Sequence, residues 1–213
     1  MTESQEVELK LELSPGEVEA FRHVAVLGDP ARRPVDQITT YFDTDKGELR
    51  KAGYSLRLRR KGRSCHQTVK ARGADSGGFS SRAEWEARVE TPQLDFEALK
   101  STPVGKLLTG KDMRKRLARV SETRVRRTTW LIPLGASEIE MILDEGRVVG
   151  DGREAPISEI ELELKRGARA DLFALAQMLG EGLILRMGVM SKSERGFRLL
   201  EGRSARAHIP ALL

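Results

Sequence analysis

The chain has 213 residues, enough for one large domain or two small ones, and its 37 Lys and Arg against 32 Asp and Glu leave a net charge of +5. Such near balance excludes a plain basic nucleic-acid tail while leaving room for a localised anion site. One cysteine, Cys65, excludes an internal disulfide, the polar start MTESQEVELK excludes a signal peptide, and no apolar run reaches the ~20 residues of a membrane helix, so a soluble cytoplasmic protein is expected.

In chain order, EVELKLEL (6–13) alternates strictly, with Glu6, Glu8, Lys10 and Glu12 on one face and Val7, Leu9, Leu11 and Leu13 on the other, the pattern of a strand. Glutamate is a poor strand former, and a row of glutamates repels itself. SPGEVEAFRHVAVLG (14–28) predicts a helix, opened by a capping box from Ser14 to Glu17 with Pro15 at the first helical position. ITTYFDT (38–44) predicts a strand. YSLRLRRKG (54–62) sets Ser55, Arg57 and Arg59 opposite Leu56 and Leu58, and CHQTVKAR (65–72) sets His66, Thr68, Lys70 and Arg72 on one face. GADSGGFSS (73–81) predicts a hairpin loop. SRAEWEARVE (81–90) sets Arg82, Glu84, Glu86 and Arg88 opposite Ala83, Trp85, Ala87 and Val89. A short helix is predicted over LDFEALKS (94–101), stopped before Pro103.

The later half repeats the charged alternation. RVRRTTWLI (124–132) is rich in Arg and strand formers. SEIEMILDEG (137–146) sets Glu138, Glu140, Ile142 and Asp144 opposite Ile139, Met141 and Leu143. ISEIELELK (157–165) sets Glu159, Glu161, Glu163 and Lys165 opposite Ile160, Leu162 and Leu164, almost a second copy of the opening strand. ARADLFALAQMLG (168–180) predicts a helix with Leu172, Leu175, Ala176 and Leu179 on one stripe and Gly180 as its C-cap. SKSERGFRLL (191–200) predicts a last helix, and 201–213 reads as a tail or linker.

Two architectures share this pattern of about eight strands. One is an antiparallel sheet with a wet face, where Glu and Arg make weak cross-strand pairs. The other is a closed barrel with its charged faces inward and its Leu, Val and Trp faces packed against helices; such a barrel holds one small ligand. Buried charge needs partners. Clustered Arg and Lys suit a polyanion and clustered Glu a divalent cation with hard oxygen ligands, so a phosphate chain with bound Mg²⁺ satisfies both at once.

The ordered motifs resemble those of the CYTH superfamily, also called triphosphate tunnel metalloenzymes. EVELK is similar to the family's E-x-E-x-K signature, and it is followed in order by YFDT (41–44), LRLR (56–59), TVK (68–70), RAE (82–84), RTTW (127–130), IEMILDEG (139–146), EIELEL (159–164) and SKSERGF (191–197). The resemblance spans 6–198 and is strongest to the CYTH domain of bacterial inorganic triphosphatases, which often carry a CHAD domain; this chain either stands alone or is the N-terminal part of such a protein. It implies a β-dominated α+β fold, a closed eight-stranded antiparallel β-tunnel with helices packed outside, over residues 1–200. It implies hydrolysis of inorganic triphosphate to pyrophosphate and phosphate, with Mg²⁺ or Mn²⁺ as cofactor. The alternatives are a thiamine or nucleoside triphosphatase, an adenylyl cyclase, and a non-catalytic polyphosphate-binding module.

By the same resemblance, Glu6, Glu8, Glu159 and Glu161 are metal ligands, joined by Asp144 and Glu140 of the I-E-x-x-L-D pattern. Lys10, Arg57, Arg59, Lys70, Arg82, Arg127 and Lys192 bind substrate phosphates; Arg suits bidentate contacts and Lys acts as a point charge. Arg127 is preferred to Arg124 and Arg126 because it alone fits the R-x-x-W spacing to Trp130. Lys10, Arg59, Glu84 and Lys192 are expected nearest the chemistry, Glu84 by orienting arginines or positioning water. Trp85 and Trp130 are expected to pack outside the tunnel.

Three other signals are set aside. GKLLTGKD (105–112) nearly matches a phosphate-binding loop but has Asp112 where Ser or Thr is required. His23, His66 and His208 lack zinc-site spacing. RKRLARVSETRVRR (114–127) is basic but lacks interleaved aromatics, so no specific nucleic-acid binding is expected.

Overall fold

The computed structural model of the chain describes residues 1–27, 32–108 and 111–205. Ten strands run in chain order: β1 (Thr2–Leu13), β2 (Arg32–Asp43), β3 (Tyr54–Lys61), β4 (Ser64–Ala71), β5 (Ala74–Ser76), β6 (Phe79–Val89), β7 (Ala118–Leu134), β8 (Ser137–Gly150), β9 (Arg153–Arg166) and β10 (Leu185–Met187). Eight of them close a ring in the order β1-β9-β8-β7-β2-β3-β4-β6 and back to β1, every neighbour antiparallel. In that ring Glu6 lies opposite Arg82 of β6, and Lys10 lies opposite Glu161 of β9. β1 hands its outer edge from β6 to β10 at Lys10, whose N–H donates to Gly78 O (2.9 Å) and whose carbonyl accepts from Gly188 N (2.8 Å).

The ring decides between the two architectures. β1 is buried on both faces: Val7, Leu9, Leu11 and Leu13 face outward into an apolar layer, while Glu6, Glu8 and Lys10, at 8%, 4% and 6% exposure, face the lumen. That outer layer is completed by helix α6 (Ala170–Gly180), whose Leu172, Leu175 and Leu179 are fully buried and contribute about 1.5–3 kcal/mol each. Trp130 joins it edge-on against Phe21 of α1 (Val18–Arg22), with ring centroids 5.5 Å apart. On the other flank α2 (Glu48–Lys51), α3 (Phe96–Leu99) and α4 (Pro103–Leu107) pack Leu49, Leu99 and Val104 onto Leu56, Val69 and Trp85. Both tryptophans thus lie outside the tunnel. A fifth helix, α5 (Lys111–Arg116), precedes β7. No described helix is long and apolar enough to cross a membrane.

Local chemistry departs from the sequence reading at several points. Ser14 makes no side-chain cap; its carbonyl accepts from Glu17 N in a 3₁₀ turn over Pro15–Glu17, and the Glu17 carboxylate accepts from Ile184 N instead of reaching back. Asp95 caps α3 by accepting from the N–H groups of Glu97 and Ala98, but the helix stops at Leu99 and Pro103 starts α4 behind a Thr102 cap. The 73–81 loop contains β5, folded back on β6 through Gly77 and Gly78 at positive φ. Helix α6 runs through Gly180, leaving Glu181 as its C-cap. Residues 109–110 of the rejected phosphate-loop match lie outside the described residues, as do His208 and most of the 201–213 tail; Gly105 sits inside α4, not in a loop after a strand.

Helix α7 (Lys192–Leu200) packs on β7, β8 and β9 and brings Lys192 to the lumen. Ser191 caps it, accepting from Glu194 N at 3.1 Å. Gly196 allows the close approach: a Cβ there would strike Ser121 Oγ and come within 2.6 Å of Ser121 Cβ on β7. Gly196→Ala is therefore expected to lower stability by about 1–3 kcal/mol, as overpacking does. Thermal melting checks it, and an unchanged Tm would show that α7 is not seated this closely.

Candidate active site in the tunnel lumen

The inward faces of the ring enclose a cavity of about 330 Å³ lined by cations and carboxylates in nearly equal number. Its geometry follows from strand parity and register. On the β1–β6 wall, Glu6 accepts from Lys70 Nζ (2.5 Å) and Arg82 Nε (2.8 Å), and Glu8 accepts from Arg82 Nη2 (2.7 Å). Lys10 Nζ stands 3.5 Å from Glu8, and Glu84 pairs with Arg57 (3.4 Å) and Lys70 (3.3 Å). Burial alone would raise the Glu6 carboxyl, but the Lys70 ammonium and Arg82 guanidinium against it hold it well below the usual carboxylate range.

The adjoining wall gathers Asp144 of β8 with Glu159 and Glu161 of β9, whose ligand oxygens lie within 4.8 Å of one another. Lys192 Nζ sits among them, 2.7 Å from Asp144 and 2.9 Å from Glu161, and pairs with Glu159 as well. Arg127 grips Asp144 with both Nε (2.8 Å) and Nη2 (2.5 Å) and reaches Glu161 at 2.9 Å. Burial opposes ionisation of both acids, yet Arg127 and Lys192 keep Asp144 below its ordinary value and Glu161 well below it.

Arg59 differs from every other cation named here. Among the described residues it has no carboxylate partner and its Nε is buried without an acceptor. Burial, then the neighbouring Arg57 and Arg127 charges, pushes its guanidinium down to about 10. The lumen is thus neutralised along its walls and carries an uncompensated positive centre.

All the expected charged residues line this lumen or contact those that do, but they fall into separate groups. Glu6 and Glu8 belong with Lys70 and Arg82; Glu140 pairs with Lys165 (3.3 Å) beside Glu163; the converging carboxylates are Asp144, Glu159 and Glu161. Sequence reading missed Arg195, 5% exposed, which donates to Glu159 (3.3 Å) and to Pro156 O (2.5 Å). Its spacing of three from Lys192 on a predicted helix was a usable signal. Tyr41 and Ser55 also line the lumen with the parity of Arg57.

The acidic group fits a divalent cation. Its donors are hard carboxylate oxygens that already converge on a positive charge, the Lys192 ammonium.

A family model described as the CYTH domain matches residues 4–197. The inorganic triphosphatase of Haemophilus influenzae is 31% identical over 201 residues, 92% of this chain and 55% of that protein, so the chain spans about half the length of the relative it matches. Among solved structures, Hippeastrum HpAC1, an adenylyl cyclase candidate reported with a dominant triphosphatase activity, superposes with a TM-score of 0.68 at 20% identity, covering 93% of this chain and 96% of that one. PH1819 of Pyrococcus horikoshii superposes with a TM-score of 0.59 at 22% identity, covering 93% and 99%. At these identities the structures share the fold.

Proposed function

The chain belongs to the CYTH domain family, and from that premise we propose that its lumen hydrolyses inorganic triphosphate to pyrophosphate and phosphate with a divalent metal, Mg²⁺ or Mn²⁺. Arg59 carries this reading: an unpartnered guanidinium between two others is an anion site, and it lies in the same lumen as three converging carboxylates. The name of the Haemophilus influenzae relative supports inorganic triphosphate as the substrate. The single, buried and free Cys65 supports a reducing, cytoplasmic location.

In this reading residues 1–200 form the tunnel domain. Arg57, Arg59, Arg127, Lys70, Arg82, Lys10 and Lys192 bind phosphate oxygens, with the arginines giving planar bidentate contacts. Glu6, Glu8 and Glu84 orient Arg82, Lys70 and Arg57 for that task, holding their head groups without water in between. Asp144, Glu159 and Glu161 would hold the metal. When bound, a divalent ion supplies charge neutralisation on phosphate oxygens and lowers the pKa of a coordinated water. The reaction adds a water oxygen to a terminal phosphorus and breaks its bridging P–O bond, so pyrophosphate leaves and the water proton is released. Such a transfer depends on positioning and charge stabilisation more than on covalent help, and the fixed salt-bridged walls provide both.

The test is orthophosphate release from tripolyphosphate with Mg²⁺, with Mn²⁺ and with chelator, with ATP and thiamine triphosphate alongside. Metal-dependent release, slower from ATP, is the expected result. Release from no triphosphate would leave a polyphosphate-binding module, and cyclic AMP from ATP would point to a cyclase.

A further inference from the structure

All six carboxylate oxygens of the acidic group are engaged by the protein's own cations. Arg127 takes Asp144 Oδ1 and shares Oδ2 with Lys192; Lys192 and Arg127 divide Glu161; Lys192 and Arg195 divide Glu159. Three negative charges therefore face three positive ones in a space that water scarcely reaches, with Asp144 and Glu159 fully buried and Lys192 7% exposed. Adding a divalent ion to that arrangement would leave an excess of two positive charges at low dielectric, which is costly. One resident cation must leave. Arg127 is gripped bidentately on β7 and Arg195 is anchored to the Pro156 carbonyl. Lys192 holds the group only through its ammonium: a point charge on a flexible stem, in the first position of α7, with Ser191 and Ser193 beside it on the lumen wall.

We infer that the Lys192 ammonium is a displaceable stand-in for the metal: the ion and Lys192 exclude each other at Asp144, Glu159 and Glu161, and the expelled ammonium turns into the lumen to meet a phosphate. Metal and polyanion then help each other in. The ion frees a cation for the anion, and the anion stabilises that cation away from the carboxylates. By thermodynamic reciprocity each raises the other's affinity by the same factor. This inference rests on the lumen being a metal and phosphate site, but its tests involve no turnover.

Mn²⁺ binding to the chain without phosphate, followed by the electron paramagnetic resonance of the free ion, reads the competition directly. Lys192→Met is expected to bind Mn²⁺ more tightly than the wild type, on the order of tenfold, a usual size for coupling between sites. Lys165→Met removes a lumen-lining cation of equal charge that pairs with Glu140 and Glu163, outside the acidic group, and it is expected to gain much less. Equal or weaker binding by Lys192→Met, or an equal gain in Lys165→Met, would overturn the inference. Should Lys192→Met not fold, the wild type still decides. Reductive methylation mapped by mass spectrometry is expected to find Lys192 protected in chelator and modified in Mn²⁺; protection in both states would overturn it. Tighter Mn²⁺ binding by the variant in a chain that releases no orthophosphate would uphold the competition and refute hydrolysis alone.

Discussion

Glu161→Gln is expected to cut metal-dependent orthophosphate release by at least ~10²–10³-fold, the scale of losing a preorganised electrostatic contact, while the barrel still folds. Glu161 sits at the junction of the site: its two oxygens hold Lys192 and Arg127, and Lys10 lies opposite it across the strand pair. Glutamine keeps the shape and one acceptor but removes the charge that a divalent ion requires and that holds two phosphate-binding cations in place. The fold survives because Arg127 retains Asp144, and Lys192 retains Asp144 and Glu159. The paired measurement is release rate against Tm. A variant as active as the wild type would remove the acidic group from the chemistry, and one that cannot fold would make Glu161 structural.

Arg59→Met should separate function from stability in the opposite direction. Arg59 is a guanidinium held among like charges with a buried Nε lacking an acceptor. Its depressed value means that folding disfavours the charged form, so at neutral pH the charge works against the folded state. Methionine keeps the apolar stem and removes that cost. We expect unfolding free energy to rise by on the order of 1 kcal/mol, or roughly 2–4 °C in Tm for a chain of this size, while kcat/KM for tripolyphosphate falls ~10²-fold or more, as when a transition-state charge contact is lost. A fall in Tm would show that Arg59 is matched by its surroundings, and unchanged kcat/KM would show that no phosphate rests there.

Period-two alternation made the strands legible because both faces of each strand do work here: Leu9 and Leu162 outward, Glu8 and Glu161 inward. Parity could tell which residues share a face but not which ones meet. Lys70 reaches Glu6, and Arg82 spans Glu6 and Glu8, only because of the β1–β6 register and ring closure, and no local spacing encodes either. For the same reason the six expected metal ligands looked like one set and are three. Helix α2 escaped notice because its support is not local. The N-terminus of α2 is held by Asp43, which accepts from Leu49 N and Arg50 N, and its end by Arg50 reaching Glu201 beyond α7. Strand β10 is three residues long and exists because β1 outruns β6.

The position of β1 in the ring also matters while the protein is being made. Of the ring's strands it is made first, yet its partner β6 begins only at Phe79 and β9 only at Arg153. Pairing at such separations is slow, because a long loop must close before any contact rewards it. Through that interval a strand with four large aliphatic residues on one face has both edges open, the condition under which chains join one another edge to edge. The row of Glu6, Glu8 and Glu12 answers this hazard. Two copies of β1 laid side by side, parallel and in register, would stack like charges with no Lys70, Arg82 or Lys192 to offset them, so the glutamates that serve the finished lumen also disfavour that pairing of the waiting strand until its own chain supplies the cations.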